Sequence, residues 1–250
     1  MDKHLAVVVM AAGKGTRMKN PGMAKVMYTI NDRPLVEWVV DLAENLQSSR
    51  TVVIVGWQKE TVMDHLVRRY PSVICVEQNP QLGTGHAVMQ AEPALRGYTG
   101  DVLVLSGDVP MLRPETARAL IQEHREAKAS ITILTAVIDA PIGYGRIVRD
   151  QAGLVRAIVE EKDATPEERA IHEINSGIYV FNAQDLFDGL KHITTNNSQG
   201  EYYLTDVVHY SFRNNLRVVA VVAHDAIEVG GINTVEQLEE ARRILEGKGS

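Results

Sequence analysis

Three basic side chains lie in or just after a glycine-rich loop near the start of the chain, residues 11–17 (AAGKGTR). Lys14 and Arg17 belong to the loop, and Lys25 follows it. The preceding residues, 5–10, are almost all apolar, as in a strand buried on both faces of a parallel sheet. Because small residues let backbone N–H groups approach a ligand closely, this pattern predicts a polyphosphate site. A tight turn with solvated basic residues would give the same local pattern.

Two familiar phosphate-binding motifs are absent from this loop. The GxxxxGK[ST] spacing of a Walker loop does not occur, and Met18 stands where the dinucleotide fingerprint GxGxxG/A requires glycine or alanine. The loop is therefore a glycine loop of a third kind, and a nicotinamide-binding oxidoreductase is disfavoured. The HExxH motif of zinc hydrolases is also absent.

The composition is that of an ordinary globular protein, with 45% hydrophobic residues and a net charge of −6. This charge gives no reason to expect a nucleic-acid partner. The one cysteine, Cys75, excludes disulfides within the chain and lies in an apolar run that predicts a buried packing residue. No apolar stretch approaches the roughly 20 residues that span a bilayer. We expect a cytoplasmic protein with no membrane partner.

The first half of the chain alternates between two hydrophobic patterns. Short apolar runs predict strands at residues 5–10, 51–55, 73–76, 101–105 and 130–137. Apolar positions at helical spacing predict helices at residues 34–47, 58–69, 85–95 and 114–127. This alternation predicts an α/β fold with a Rossmann-like, doubly wound, mostly parallel sheet.

The pattern changes after residue 137. Residues 145–149 and 154–160 predict a hairpin, and residues 138–215 read as a β-rich elaboration of the sheet within a single domain, 1–250. Further strands are predicted at residues 174–181 and 217–222, and helices at 183–190, 202–212 and 233–245. Asn233 with Glu236 fits a capping box at the start of the last helix.

Polar residues follow several of the predicted strands, where ligands bind in open parallel sheets. Gln78 offers an amide that can donate and accept hydrogen bonds, as reading a nucleobase requires. Asp108 suits a Mg²⁺ ligand, and equally a turn or helix-capping aspartate. From local pattern Asn233 is favoured as a helix cap.

Eight blocks of sequence resemble the sugar nucleotidyltransferase family, and within it the UDP-N-acetylglucosamine pyrophosphorylase domain of a bacterial bifunctional enzyme. The blocks are AAGKGTRM (11–18), Lys25, QLGTGHA (81–87), GDVP (107–110), GYGRI (143–147), VEEKDAT (159–165), EINSGIYV (173–180) and NSQGEYYLTD (197–206). They occur in the family's order and cover almost the whole chain. Together they are far more specific than one glycine loop.

The resemblance implies a magnesium-dependent reaction in which UTP and N-acetylglucosamine 1-phosphate give UDP-N-acetylglucosamine and pyrophosphate by in-line attack. It implies that Arg17 and Lys25 neutralise the phosphates, and that Asp108 and Asn233 ligate Mg²⁺. It assigns the nucleotide to Ala12, Gly13, Gln78, Gly83 and Thr84, and the sugar phosphate to Gly145, Glu160 and Asn175. No imidazole base is required, so His86 and His172 are interpreted as structural.

Three departures from the family pattern lead to further expectations. Ala24 replaces the proline that usually precedes the lysine, and Ser106 stands where tyrosine is frequent. The chain ends at Ser250, without the left-handed β-helix of the bifunctional relatives, so we expect no acetyltransferase activity and a monomer or weak homo-oligomer. The same chemistry on another hexose 1-phosphate, such as glucose 1-phosphate, and a non-catalytic nucleotide-sugar-binding domain are the alternatives.

Overall fold

The computed structural model describes residues 2–18 and 22–247. Its strands are β1 (Asp2–Ala11), β2 (Thr29–Ile30), β3 (Arg33–Pro34), β4 (Ser48–Val55), β5 (Ile74–Glu77), β6 (Asp101–Ser106), β7 (Ile131–Val137), β8 (Arg146–Arg149), β9 (Val155–Val159), β10 (Glu173–Asn182) and β11 (Val218–Val222). Its helices are α1 (Leu35–Asn45), α2 (Lys59–Arg69), α3 (Thr84–Met89), α4 (Pro114–Ala127), α5 (Pro166–Arg169), α6 (Ala183–Leu190), α7 (Asp206–Arg213) and α8 (Val235–Gly247). Short 3-10 turns cover Lys25–Met27, Pro93–Leu95 and Ala226–Val229.

The main sheet has the strand order β11-β7-β10-β6-β1-β4-β5. Neighbouring strands are parallel, except that β10 runs antiparallel to both β6 and β7. Helices cover both faces, so the predicted doubly wound, mostly parallel α/β sheet is confirmed. Since β1, β4, β5 and β6 are parallel, their carboxyl ends meet at one edge of the sheet.

Successive side chains of β1 point to opposite faces of the sheet, and both faces are covered, which explains why the sequence of this strand is continuously apolar. Leu5, Val7 and Val9 pack with helices α1, α2 and α4 on one face. Ala6 and Val8 pack with α3, α6 and α7 on the other face. A strand with a helical layer on each side has no face for water, and its sequence cannot alternate between apolar and polar residues.

The region 138–215 contributes a strand to the middle of the sheet. The predicted hairpin is present as β8 and β9, and it joins the sheet through a single pairing of Arg146 with Ile174 of β10. However, β10 itself lies between β6 and β7. The hairpin is therefore an addition to the sheet, whereas β10 is an integral part of it. The apolar pattern of residues 174–181 alone does not show that this strand is central.

Helix α7 begins at Asp206, so the prediction of a helix from residue 202 is wrong at its start. The backbone of Tyr202 is used elsewhere: its N–H donates to the carbonyl of Leu82 (2.8 Å), and its carbonyl accepts from the N–H of Gly85 (2.8 Å). A residue whose backbone groups bond to another segment cannot also make helical bonds. Long-range pairing thus overrides the local helical pattern.

Two smaller predictions are also wrong. The capping box of α8 is formed by Thr234 and Gln237: the N–H of Gln237 donates to Thr234 Oγ1 (3.3 Å), and the N–H of Thr234 donates to Gln237 Oε1 (3.1 Å). Asn233 is one residue too early to cap the helix. Cys75 is only partly buried, because β5 lies at the edge of the sheet.

Within the described residues, no helix combines the length and apolar character needed to cross a membrane.

Candidate active site

A cavity of about 470 Å³ lies at the carboxyl ends of β1, β5 and β6. Its size is typical of small-molecule sites. Lys25 and Asp108 line it, together with all five residues that the resemblance assigns to the nucleotide. Those five are Ala12, Gly13, Gln78, Gly83 and Thr84. Ser106, one of the departures from the family pattern, also belongs to the wall.

The glycine-rich loop is held from outside by bonds to its backbone. The carbonyl of Ala12 accepts from the N–H of Trp57 (3.1 Å) and from Gln81 Nε2 (3.0 Å). A Cβ on Gly13 would meet nothing within 4 Å, so this stretch of backbone is open to a ligand. Gly15 has a φ of +61°, and a Cβ there would lie 2.6 Å from Lys25 Cβ. Glycine at position 15 therefore lets the loop pack directly against Lys25.

Four side chains form what we call the charged end: Lys25 and Asp108, which line the cavity, and Arg17 and Asn233, which join them through hydrogen bonds. Lys25 forms a salt bridge with Asp108 Oδ2 and donates to Asn233 Oδ1 (3.0 Å). Arg17 Nη2 donates to the same Asn233 oxygen (2.9 Å). All four residues that the resemblance assigns to phosphates and metal therefore lie in one cluster.

Lys25 is positioned by the 3-10 turn that it begins. Its neighbours Ala24 and Val26 are both buried, which anchors the turn in the core. Ala24 has φ −61° and ψ 137°, the backbone conformation that proline adopts readily. The alanine therefore keeps the geometry expected of the usual proline, and this departure leaves Lys25 in the cavity.

Asp108 and Asn233 are brought together by backbone pairing. The N–H of Gly107 donates to the carbonyl of Met10 (2.9 Å), and the carbonyl of Asp108 accepts from the N–H of Ile232 (2.9 Å). Asn233 Nδ2 donates to the carbonyl of Gly231 (3.2 Å), which directs its Oδ1 towards the cations. Two segments distant in sequence thus present their oxygens to the same point.

A second group of residues at the cavity, which we call the amide end, consists of Gln78 and Gly83, which line it, and His86, which contacts Gln78. Gln78 is buried, and its Nε2 donates to the carbonyl of Gly83 (2.9 Å) and lies 3.2 Å from His86 Nδ1. Gly83 has a φ of +104°, and a Cβ there would lie 2.6 Å from the carbonyl of Tyr202, so only glycine fits. Thr84 Oγ1 accepts from the N–H of Leu204 (3.0 Å), which fixes the turn.

The three residues assigned to the sugar phosphate form a separate cluster outside the lining of this cavity. The N–H of Asn175 donates to the carbonyl of Gly145 (2.9 Å). A Cβ on Gly145 would lie 3.5 Å from Glu160 Oε2 and 3.5 Å from Asn175 Cβ. The structure therefore brings Gly145, Glu160 and Asn175 together where the hairpin meets β10.

Burial shapes the chemistry of Glu160. Thr205 Oγ1 donates to Glu160 Oε1 (3.2 Å). Burial raises the pKa of the Glu160 carboxyl, while the hydrogen bond from Thr205 lowers it, and Asp163 and Asp206 raise it further. A partly buried carboxyl of this kind can accept hydrogen bonds from hydroxyl groups of a ligand.

Residues 7–175 match the family described as the MobA-like NTP transferase domain. The chain belongs to this nucleotidyltransferase family. The predicted membership is thereby confirmed, and it rests on the region that holds the glycine-rich loop and the amide end.

Individual relatives agree with this family. The chain is 48% identical over 96% of its length to the bifunctional protein GlmU of Geobacter metallireducens. It is 47% identical over 98% of its length to GlmU of Acetivibrio thermocellus. The match covers 50% of the first protein and 52% of the second, so the chain spans about half the length of these curated relatives.

The nucleotidyltransferase fold is also found among solved structures. A structure of UDP-glucose pyrophosphorylase complexed with UDP-glucose superposes with a TM-score of 0.77, covering 99% of this chain and 100% of the other. The sequence identity is 19%. At this identity the likeness concerns the fold.

The charged end is also where this nucleotidyltransferase has a donor set suited to a metal ion. Among residues 2–18 and 22–247, no group of three or more His, Cys, Asp or Glu side chains could hold a metal. Asp108 and Asn233 offer a carboxylate and an amide oxygen around one cation. Mg²⁺ prefers such oxygens and takes its remaining ligands from water and substrate phosphates, so the pair fits Mg²⁺.

The sequence did not assign Gln81 or Glu201 to the site, and it gave His86 only a structural interpretation. Gln81 holds the loop through the carbonyl of Ala12, Glu201 lines the cavity, and His86 contacts Gln78. All three lie in blocks that carry the family resemblance, but a block does not tell which of its side chains turn inward. Lys14 also lines the cavity, and its Nζ lies 5.3 Å from the centroid of the Trp57 ring.

Proposed function

We propose that this chain transfers a uridylyl group from UTP to N-acetylglucosamine 1-phosphate and releases pyrophosphate. The observation that carries the proposal is one cavity with an amide end and a charged end. Gln78 and Gly83 suit a nucleobase, and Lys25 with Asp108 suits phosphates and their counter-ion. The GlmU relatives at 47–48% identity support the choice within the nucleotidyltransferases.

Mg²⁺ is proposed as the cofactor, held by Asp108 and Asn233. When bound, it would neutralise phosphate charge and orient the triphosphate. Lys25 now bonds to both of these oxygens, so its ammonium would move to the phosphates as the metal took its place. Arg17, which is exposed at the same end, would bind the phosphates that leave.

The reaction needs positioning and charge neutralisation more than acid–base chemistry. A phosphate oxygen of the sugar phosphate attacks the α-phosphorus of UTP, and the bond to the β-phosphate oxygen breaks as pyrophosphate leaves. The attacking group is already anionic near neutral pH, so no side chain has to remove a proton. Backbone N–H groups near Ala12 and Gly13 would bind the nucleotide, since this part of the loop is open.

Glu160 and Asn175 are proposed to bind the hydroxyl or acetamido groups of the sugar. Both lie beside Gly145, where a Cβ would be within 3.5 Å of Glu160 Oε2 and Asn175 Cβ. Glycine at this position would let the sugar phosphate approach the hairpin closely. The wall of the nucleotide cavity and this cluster then form the two halves of one site.

The test is a matrix of nucleotides against sugar phosphates. UTP, CTP, dTTP and ATP are each combined with N-acetylglucosamine 1-phosphate, glucose 1-phosphate or glucosamine 1-phosphate, and pyrophosphate release is followed with and without Mg²⁺. The expected maximum is UTP with N-acetylglucosamine 1-phosphate, with no release without the metal. A maximum at glucose 1-phosphate would contradict the sugar assignment. Nucleotide binding without product in every combination would indicate a non-catalytic binding domain.

A further inference from the structure

The Gln78 amide has one of its two polar atoms committed inside the protein. Its Nε2 donates to the carbonyl of Gly83 (2.9 Å) and lies 3.2 Å from His86 Nδ1. Because a carbonyl can only accept, the group that faces Gly83 must be the NH₂. Among residues 2–18 and 22–247, Gln78 Oε1 has no hydrogen-bond donor. Since Gln78 lines the cavity, Oε1 is the atom left for a ligand.

The contact with His86 requires its Nδ1 to accept. A neutral imidazole has only one acceptor nitrogen, and two amides approach this ring. Gln78 Nε2 lies at Nδ1, and Gln90 Nε2 lies 3.3 Å from Nε2 while also donating to the His86 carbonyl (2.9 Å). Gln78 is only 5% exposed, so leaving its second hydrogen unpaired would be costly. Gln90 is half-buried and can turn its hydrogen to water. The tautomer with Nδ1 free of hydrogen is therefore favoured.

Two further features concern the position of the His86 ring and its charge. It stacks against the ring of Tyr202, with 6.3 Å between centroids and 29° between planes. Burial also lowers the pKa of His86, so the neutral imidazole predominates at neutral pH. His86 thus lies between a fixed aromatic wall and the Gln78 amide.

We propose that His86 is a positioning residue for base selection, whose Nδ1 holds the Gln78 amide with Oε1 directed at the base. An acceptor at this point favours a pyrimidine with a hydrogen on N3, as in uracil and thymine. It disfavours cytosine, whose N3 is itself an acceptor. This inference rests on the proposed function, because it takes the nucleotide to bind with its base at the amide end.

The test compares two substitutions of similar shape, His86→Leu and His86→Asn. The asparagine can present its Oδ1 in the position of Nδ1, whereas leucine has no acceptor. For each variant, the dissociation constants of UTP and CTP are measured by calorimetry without sugar phosphate, and kcat/KM is measured for both nucleotides. Removing one hydrogen bond to a buried amide is expected to reduce the UTP-to-CTP preference about tenfold in His86→Leu. The loss is expected in the dissociation constant and KM, with kcat for UTP within about twofold.

In His86→Asn, the preference for UTP over CTP is expected to stay within about threefold of the wild-type value, since the asparagine Oδ1 replaces Nδ1 as the acceptor. An unchanged preference in a folded His86→Leu, or equal loss in both variants, would overturn the inference. If His86→Leu does not fold, ¹⁵N NMR of the wild-type imidazole decides: hydrogen on Nε2 supports the inference, and hydrogen on Nδ1 overturns it.

Failure of this inference is distinguishable from failure of the proposed function. If the wild type makes no UDP-sugar but binds UTP more tightly than CTP, the proposed reaction fails and the binding ratios of the two variants still decide the role of His86. If the wild type makes UDP-N-acetylglucosamine and binds both nucleotides equally, the reaction stands and the role of His86 is refuted.

Discussion

At the charged end of the cavity, Arg17 and Asn233 make direct contact although they are 216 residues apart in sequence. At the amide end, Gln78 and His86 are only eight residues apart. The amide end takes its own residues from one short stretch of chain, although the distant residues Tyr202 and Leu204 hold the turn through hydrogen bonds. The charged end is assembled by the sheet and exists only when the chain has folded.

The two ends differ in the substitutions that they can tolerate. At the charged end, unlike charges meet at one point, so the loss of one group leaves the others with unbalanced charge. At the amide end, neutral groups share several hydrogen bonds, so the loss of one is a smaller disturbance. We therefore expect larger losses of activity from substitutions at the charged end than at the amide end.

The largest effect is expected for Asp108→Asn. The change keeps the shape of the side chain but removes the carboxylate that faces Lys25. We expect kcat to fall about 1,000-fold, because both Lys25 and the proposed Mg²⁺ would lose their opposite charge. The measurement is pyrophosphate release at saturating substrates. Asp64→Asn, an exposed carboxylate on α2, is the control. If Asp108→Asn kept its activity at low Mg²⁺, the role of Asp108 as a metal ligand would be refuted.

Lys25→Met is expected to have two opposite consequences. Turnover is expected to fall about 100-fold, since a cation that neutralises the phosphates is lost. In the nucleotide-free protein, however, affinity for Mn²⁺ is expected to rise about tenfold, because the ammonium no longer competes for Asp108 and Asn233. Electron paramagnetic resonance of added Mn²⁺ measures this directly. Lys14→Met is the matched control, and a lower Mn²⁺ affinity in Lys25→Met would contradict the competition.

Glu160→Gln tests the second cluster. The KM for the sugar phosphate is expected to rise 10- to 50-fold, because a hydrogen bond to a charged acceptor is replaced by one to a neutral acceptor. The dissociation constant of UTP is expected to stay the same, since Glu160 is not in the wall of the nucleotide cavity. Steady-state kinetics and calorimetry make the comparison. An equal loss for both ligands would place Glu160 in a general structural role.

The same variant has a predicted effect on stability. Burial raises the pKa of Glu160, so the stability contributed by its neutral form is present below the unfolded pKa of about 4.3 and is lost as the pH rises through the folded pKa. A permanently neutral glutamine avoids this loss. Glu160→Gln is therefore expected to melt higher than wild type at pH 7.5 and at the same temperature at pH 4. A melting temperature of Glu160→Gln below that of the wild type at pH 7.5 would contradict this prediction.

A smaller effect on activity is expected at the amide end. Gln78→Ala is expected to reduce the preference for UTP over CTP about tenfold, while leaving binding of the triphosphate largely intact. A panel of nucleotides in the pyrophosphate assay measures the preference. Gln81→Ala is the control, because that glutamine lies in the same stretch of chain and holds the glycine-rich loop through the carbonyl of Ala12. The same base profile in Gln78→Ala as in wild type would argue against base reading.

The smallest effect is expected for Ala24→Pro. The backbone of Ala24 already has φ −61° and ψ 137°, so proline is expected to stabilise the protein by up to about 1 kcal/mol through the unfolded state. Thermal unfolding measures the change. Ala170→Pro is the control: its N–H donates to the carbonyl of Glu167 (3.2 Å), and its loss is expected to destabilise. A lower melting temperature in Ala24→Pro would show that the turn before Lys25 is not proline-like.

Much of the fold followed from local patterns. The bounds of α4 and α6 agree with the apolar spacing, and β1 agrees with its apolar run. The largest error comes from pairing between distant segments. Tyr202 is not helical because its backbone bonds to the turn around Leu82 and Gly85. Such pairings leave no mark on the periodicity of either segment.

The sequence by itself determined the chemical groups at the site and the type of element that carries each. The strand before the glycine-rich loop, the basic residues around it and the family blocks were sufficient for this. Tertiary structure decided which of these groups meet. Asn233 was favoured as a helix cap by pattern, and it bonds to Lys25 and Arg17 because Ile232 pairs with Asp108. Strand order and backbone pairing fix such contacts, and neither is visible in local spacing.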